Sequence, residues 1–435
     1  MLKIYSNTAS SRLEFISKFL LETILGIDFK HISNLSEFDP SQDCLLNYSD
    51  QRSEFPEIYL APHGLLFDTG IRSFNIDVKN DQGLPYFFSN TASDWHFDLF
   101  AAAFYLLSRY EEYLPSQADD HGRFAAENSL AFQAGFLDRP LIDQWAFEFR
   151  KKLLSQFPNL KFRERNFQVA CTVDLDQVFR TKGKSNWRFI KSIAGSLLRA
   201  DWKDLKNKIA VRKNKIDDPF DQYDRLEKIH RKINWKAIYF ILFADKNTKQ
   251  DINLNTKQPD FLQRIKRLSH TADIGIHPSY QSNSKPTVMQ SERFNLSQVI
   301  QRNINSSRQH YLKMQIPNTY HDLIQIGILH DYSMGYASQV GFRASTCTPF
   351  PFFDLHQNEI TFLTIHPFCL MDTSYHAYLK FTPDEALQNA KQLLQAVKNV
   401  EGVFCTLWHN ESMSGYQEWK GWENVYEDLM NSIYE

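Results

Sequence analysis

At 435 residues, 43% of them hydrophobic and 23% charged, the chain has ample apolar material for a core and enough length for two or three domains. That composition excludes general disorder, and a net charge of -2 gives no sign of a polyanionic partner at the level of the whole chain. Five scattered cysteines, Cys44, Cys171, Cys347, Cys369 and Cys405, show no C-x-x-C spacing and indicate neither a disulfide framework nor a cysteine zinc site.

MLKIYSNTASSRLEF lacks a basic region followed by an apolar one, and no stretch reaches the ~18 uncharged apolar residues of a membrane span. The expected setting is soluble, reducing and cytoplasmic.

Residues 1–90 read as a small α/β module. LKIYS is a strand, RLEFISKFLLETILG a helix with Leu13, Ile16, Leu20 and Ile24 at helical spacing and a stop at Gly26, and CLLNYS and EIYLAP further strands. Gly64, Gly70 and Gly83 are too dispersed for a phosphate loop, and His63 and Asp68 read as polar loop residues. Residues 91–165 form a helical connecting segment, with helices in HFDLFAAAFYLLSRYEEYL and LIDQWAFEFRKKLLSQF. Between them PSQADDHGRF carries Asp119, Asp120 and His121, adjacent positions in a polar turn that point different ways and suit a solvated loop.

Residues 166–435 are organised around FQVACTVDLDQVF, where an apolar strand over 167–173 ends in Asp174 and Asp176. An insertion at about 180–222 follows. From Arg180 to Lys215 it carries twelve basic residues against only Asp201 and Asp204, with Trp187, Ile190, Ile193, Leu197, Trp202, Leu205 and Ile209 interleaved at roughly helical spacing. A solvated basic helix, a lid over an anionic substrate and a membrane-surface contact all suit this pattern; nucleic-acid binding does not, because the rest of the chain is not basic.

Strand and helix then alternate. WKAIYFILF, ADIGIH, YASQVGFR, TFLTIHPF and GVFCTLWH are strands; PDFLQRIKRLSH, PNTYHDLIQIGI, TPDEALQNAKQLLQAVKN and WENVYEDLMNSIY are helices. The alternation predicts an α/β domain of parallel strands with right-handed crossovers. About six or seven such units favour a distorted (β/α) barrel, with a doubly wound open sheet as the alternative.

Ionisable residues recur at the C-terminal ends of these strands: Asp174 and Asp176, His277, Arg343, His366 and His409. A barrel would gather them on one face. Taken singly, each also suits an ordinary loop residue.

From residue 166 onward the chain resembles the NodB-type polysaccharide deacetylases, metal-dependent hydrolases that remove acetyl groups from N- or O-acetylated sugars. Thr172-Val173-Asp174-Leu175-Asp176 is similar to the opening motif of a divergent Asp-x-Asp branch, IGIHPSY to the second motif, GFRASTCTPF to the third and Leu407-Trp408-His409 to the last. The resemblance implies Asp174 as general base, Asp176 and His277 as ligands of one divalent ion (zinc, nickel or cobalt), Arg343 as the cation that orients the base, and His409 as general acid. Gln281 stands where the family's second metal-binding His would be. His310 in SSRQHYL is the candidate replacement; water or Tyr280 in that place, or a site without a catalytic metal, are the alternatives. Tyr280, His366 and Trp408 are candidate substrate contacts, and Asp372 a candidate support. An acetylated carbohydrate is the implied substrate.

Two other classes use an aspartate pair after a strand. Haloacid-dehalogenase-like phosphatases continue with Gly-Thr, where this chain has Gln177-Val178, and manganese-dependent glycosyltransferases predict no histidines at later strand ends. A non-catalytic glycan-binding or scaffold relative with a degraded site is the remaining alternative, and Gln281 is its support.

Overall fold

A parallel sheet opens the chain, with β1 (Leu2–Tyr5), β2 (Phe29–Ile32), β3 (Cys44–Asn47) and β4 (Glu57–Tyr59) in the order β2-β1-β3-β4, in a computed structural model that describes residues 1–283 and 285–434. The helix expected after β1 forms from Ser11, capped by the Ser10 side chain accepting from Leu13 N. Its second half, Lys18–Ile24, winds with the wider i→i+5 bonding, and Gly26, at φ +64°, turns the chain away.

A hairpin of β5 (Lys79–Asp81) and β6 (Leu84–Tyr86) follows. The helices Leu99–Leu107 and Leu141–Gln156 then form where the apolar spacing predicts them.

The remaining strands make one nine-stranded sheet. They are β7 (Gln168–Leu175), β8 (Ile238–Leu242), β9 (Asp273–His277), β10 (Ser306–Ser307), β11 (His330–Asp331), β12 (Phe350–Asp354), β13 (Glu359–Ile365), β14 (Leu370–Met371) and β15 (Val403–His409). Their order is β12-β13-β11-β10-β9-β8-β7-β15-β14, with every neighbouring pair parallel except β12 and β13.

The expected α/β alternation is therefore present, with helices such as Pro259–Thr271 and Pro383–Lys398 crossing between strands. The second carries a complete capping box, Thr382 with Glu385. Hydrogen bonds do not close this sheet into a barrel among the described residues: the antiparallel β12 and the two-residue β14 are its edges.

One expected strand is not formed. YASQVGFR is an irregular buried loop, because its polar groups find partners outside any ladder: Gly341 N donates to Cys369 O, Phe342 N to Leu137 O, and the Arg343 side chain to Gly335 O.

Packing sets the central strands close together. A Cβ on Gly275 would meet the Phe240 ring at 2.4 and 2.5 Å, so only glycine lets β9 lie against β8 there. The first 158 residues share one apolar core with the large sheet, Phe15 lying 5.0 Å from Phe353 between ring centres. Arg12 Nε also donates to Asn358 Oδ1 at 2.8 Å across this contact.

Candidate metal centre

β7 runs two residues further than its apolar stretch predicts, to Leu175. Asp174 is thus a ladder residue, in register with Phe240 on β8 and His409 on β15, and Asp176 is the first residue past the strand. Along extended chain, positions two apart return to one face. The exit from β10 repeats that spacing with Arg308 and His310. The two pairs meet: Arg308 Nη1 donates to Asp174 Oδ1 at 3.0 Å, and His310 Nε2 lies 3.4 Å from Asp176 Oδ2. His277, closing β9, places Nε2 3.2 Å from Asp176 Oδ1 and 3.7 Å from Asp174 Oδ2.

The imidazole tautomers follow from what lies behind each ring. His277 Nδ1 faces the Arg308 carbonyl oxygen at 2.5 Å, an acceptor only, so Nδ1 carries the proton and Nε2 is left with a lone pair. His310 Nδ1 donates to Asp251 Oδ1 at 2.9 Å. Asp251 is fully buried and is held by Tyr280 N at 2.7 Å and Thr248 Oγ1 at 3.0 Å. The Nε2 atoms of both rings therefore face one carboxylate, and Asp176 Oδ1, buried, accepts no hydrogen bond among the described residues.

Positive charge belongs between these groups. In the bare protein a proton supplies it: burial opposes charge on His310, but Asp176 and Asp251 outweigh burial and lift it to about 9. Burial likewise pushes Asp176 up, and His310 and His277 more than offset this, holding it well below the usual carboxylate range. A divalent ion fits the same place. Ligand atoms on bonds of about 2.0–2.1 Å at tetrahedral angles lie about 3.4 Å apart; His277 Nε2 is 3.2 Å from one Asp176 oxygen and His310 Nε2 3.4 Å from the other. All three donors can be placed within 4.8 Å of one another. Two imidazoles and a carboxylate suit zinc, nickel or cobalt.

His409 ends β15 beside this group, its Nε2 4.0 Å from Asp176 Oδ2. Its Nδ1 meets Asp372 Oδ1 at 2.7 Å, and its backbone N donates to Asp372 Oδ2 at 2.8 Å. Burial disfavours the charged ring, but Asp372, with Asp176 and Asp174 behind it, lifts His409 well above the ordinary histidine range. Arg308 is fixed just as firmly, donating to Tyr332 O at 2.9 Å and Thr172 Oγ1 at 2.6 Å and stacking 4.7 Å from the Phe240 ring centre.

These side chains share a cleft of about 300 Å³ walled by Gln309, Tyr311, Met371, Tyr378 and Glu411. Burial raises the Glu411 carboxyl to about 7 despite the nearby His409. From the loop after residue 115, Arg123 reaches the same cleft, paired with Asp119 at 2.7 Å and donating to Tyr311 O.

Four sequence-predicted residues lie elsewhere. Arg343 does not reach Asp174: it is buried in a two-pronged pair with Glu112, at 2.6 and 2.9 Å, and with Arg109 it ties the helical segment to the sheet. Arg308 holds Asp174 instead. Trp408 faces the opposite side of β15 from the cleft residues on either side of it, fully buried 5.1 Å from the Tyr426 ring, because successive strand residues alternate sides. His366 stacks on Tyr332 and pairs with His330 at 3.1 Å, outside the cleft. Tyr280 turns its hydroxyl to His121 Nδ1 at 3.2 Å, so its contribution to the centre is its backbone N–H on Asp251. Gln281 also sits outside the centre, and the second imidazole comes from His310.

Sequence reasoning missed Arg308, Asp251, Arg123 and Glu411. SSRQH, with ionisable residues two apart like DLD, held a legible signal for Arg308; a single Asp in a polar loop held none for Asp251.

Residues 2–158 match a family of unknown function (DUF7033). No curated protein matches the chain. Among solved structures the chain is similar to a Mycobacterium smegmatis protein assigned as a polysaccharide deacetylase, 13% identical over 62% of this chain and 85% of that one, with a TM-score of 0.39. It is similar to another so assigned from Pseudomonas aeruginosa, at 9% identity over 62% and 85% of the two chains and a TM-score of 0.40. A CE4 family pseudoenzyme from Bacillus anthracis is similar at 10% identity over 62% and 63%, with a TM-score of 0.26.

Proposed function

We propose that the chain is a hydrolase that removes acetyl groups from N- or O-acetylated sugars, using one divalent ion held by Asp176, His277 and His310. The observation that carries this reading is the convergence of those three residues with Asp174 and His409 in one cleft at the strand ends. Bound there, the ion supplies the charge that polarises an acetyl carbonyl and acidifies water.

The chain's own residues divide the proton transfers. Asp174, held by the Arg308 guanidinium, takes a proton from the attacking water. His409, kept as imidazolium by Asp372, gives a proton to the departing amine or hydroxyl. Arg308 and Asp372 are positioning residues: each fixes its partner's orientation and charge. Asp251 fixes the His310 tautomer in the same way. Zinc is the ion we assign, with nickel and cobalt suited to the same donors.

A non-catalytic glycan-binding relative draws support from Gln281, but the place of His310 supplies the imidazole whose loss that reading requires. An Asp-x-Asp glycosyltransferase needs both carboxylates turned to a diphosphate-bound ion, whereas Asp174 is tied to Arg308.

The test is metal content of the purified protein together with acetate release from N-acetylated and O-acetylated oligosaccharides. A bound ion, with acetate release lost in Asp176→Ala and His409→Ala, is the expected result. No bound ion after soaking in zinc, nickel or cobalt overturns the reading.

A further inference from the structure

The basic insertion folds as two helices, Asn186–Leu198 and Trp202–Arg212, and their seam is polar. Lys208 Nζ donates to Ser192 O at 2.9 Å and Ser196 Oγ at 2.7 Å, and pairs with Asp204 at 2.8 Å. Lys208, Ser196 and Asp204 are all buried. Val211 is buried and Phe189, Ile193 and Leu205 half-buried, but the largest apolar surface faces outward: Leu198 is 89% exposed, Trp187 74%, Trp202 63% and Ile190 58%. Positions 187, 190, 194, 197 and 198 form one stripe along the first helix, and Trp202 extends it across the turn.

A hairpin with charges inside and indole and leucine outside is inverted relative to one made to face water. From Asn186 to Lys215 the exposed ionisable groups are of one sign, and the first exposed acid after them is Asp217. Lys191, Arg199, Lys203, Lys206, Lys213 and Lys215 are exposed; of the two acids in this stretch, Asp204 is buried and Asp201 is half-buried and caps the second helix. This contrasts with the near-neutral chain as a whole.

We propose that this hairpin docks the protein on an anionic lipid surface. Outward tryptophan and leucine enter the boundary between headgroups and acyl chains, while the lysines and arginines, with long stems and charged tips, meet anionic headgroups. A nucleic acid would match the charge but leave Leu198 and Ile190 in water.

The hairpin also places the cleft. Arg188 Nη1 donates to Asn253 O at 2.6 Å, and Tyr416 Oη to Asp204 Oδ1 at 2.6 Å. Both contacts fall on the two loops that bring Lys249, Gln250, Ile252 and Glu411 to the cleft wall. Docking therefore sets the rim of the cleft beside the membrane. Resting on the hydrolase reading, the substrate class is an acetylated saccharide carried on a lipid.

The experiment is flotation of the full chain with phosphatidylcholine vesicles, with and without phosphatidylglycerol. The wild type floats with the anionic vesicles, less so as salt is raised. Two triple variants, Trp187→Ser/Leu198→Ser/Trp202→Ser and Lys191→Gln/Lys203→Gln/Lys206→Gln, bind at least about tenfold more weakly. All six positions are exposed, so both variants keep the wild-type melting temperature, bound ion and acetate release from soluble substrate. A wild type that stays unbound overturns the proposal. So does binding that neither triple weakens, self-association that the apolar triple abolishes without vesicle binding, or tighter binding to an oligonucleotide than to vesicles. Vesicle binding without acetate release from any substrate removes the hydrolase reading and leaves the docking surface standing.

Discussion

Arg308 Nη1 lies 3.0 Å from Asp174 Oδ1, and both residues are buried. Two residues along each chain, His310 and Asp176 face each other at 3.4 Å. β7 and β10 are not neighbours in the sheet, so this matching of two i, i+2 pairs spans the strands between them.

Replacing Arg308 leaves a buried carboxylate without its counter-charge, a change worth about 3–5 kcal/mol. Arg308→Met is expected to lose about that much unfolding free energy and to lower kcat on the protein that remains folded. Arg343→Met breaks a comparable buried pair with Glu112 but leaves bound ion and kcat near wild type. Denaturant melts beside steady-state rates separate the two; equal losses of kcat would show that Arg308 does not serve Asp174.

Asp176→Ala, His277→Ala and His310→Ala each remove the bound ion, and Gln281→Ala does not. Metal analysis of the purified variants reads this directly. The ion also stabilises the wild type, by about 2.7 kcal/mol when present at a hundred times its dissociation constant, so chelation lowers the melting temperature. Retention of the ion by His310→Ala would remove that residue from the ligand set.

The raised pKa of His310, about 9 in the ion-free protein, sets a pH dependence with a definite sign. The folded value lies above the unfolded one of about 6.5, so the stabilisation from its proton is full below about pH 6.5 and is lost as pH rises through about 9. Ion-free protein is therefore expected to weaken between pH 6.5 and 9.5. Ion-loaded protein, in which the ion takes the proton's place, holds its stability over that range. His310→Asn flattens the ion-free curve.

His409 is lifted well above the ordinary histidine range, chiefly by Asp372 against the cost of burial. The alkaline limb of the rate profile is expected well above neutral pH, and Asp372→Asn moves it downward. His409→Ala lowers kcat by about 10²–10⁴. A profile unmoved by Asp372→Asn would separate the two residues.

Trp408→Ala tests the alternation along β15. It costs about 3–5 kcal/mol as a core truncation and leaves KM near wild type in protein that stays folded. Tyr378→Ala, in the cleft wall, raises KM with little loss of stability. Both readouts come from one set of melts and rate curves.

Short-range pattern carried much of this protein. Apolar spacing located the Leu99–Leu107 and Leu141–Gln156 helices, and the alternation after residue 166 placed His277 and His409 at strand ends, because local periodicity records which face a residue buries. It could not reveal β10 and β11, which at two residues each are too short to show a period and are defined by their hydrogen bonds to β9, to β13 and to each other. Arg343, which the resemblance implies as the cation beside Asp174, pairs with Glu112, and Arg308 holds Asp174. Residue types and spacing determined that carboxylates and imidazoles would meet at one end of a parallel sheet. Which cation faces Asp174, which imidazole joins His277, and that Trp408 turns into the core were decided only by strand order and register, which set residues as distant as Arg308 and Asp174 against each other and fix the side of a strand that each residue faces.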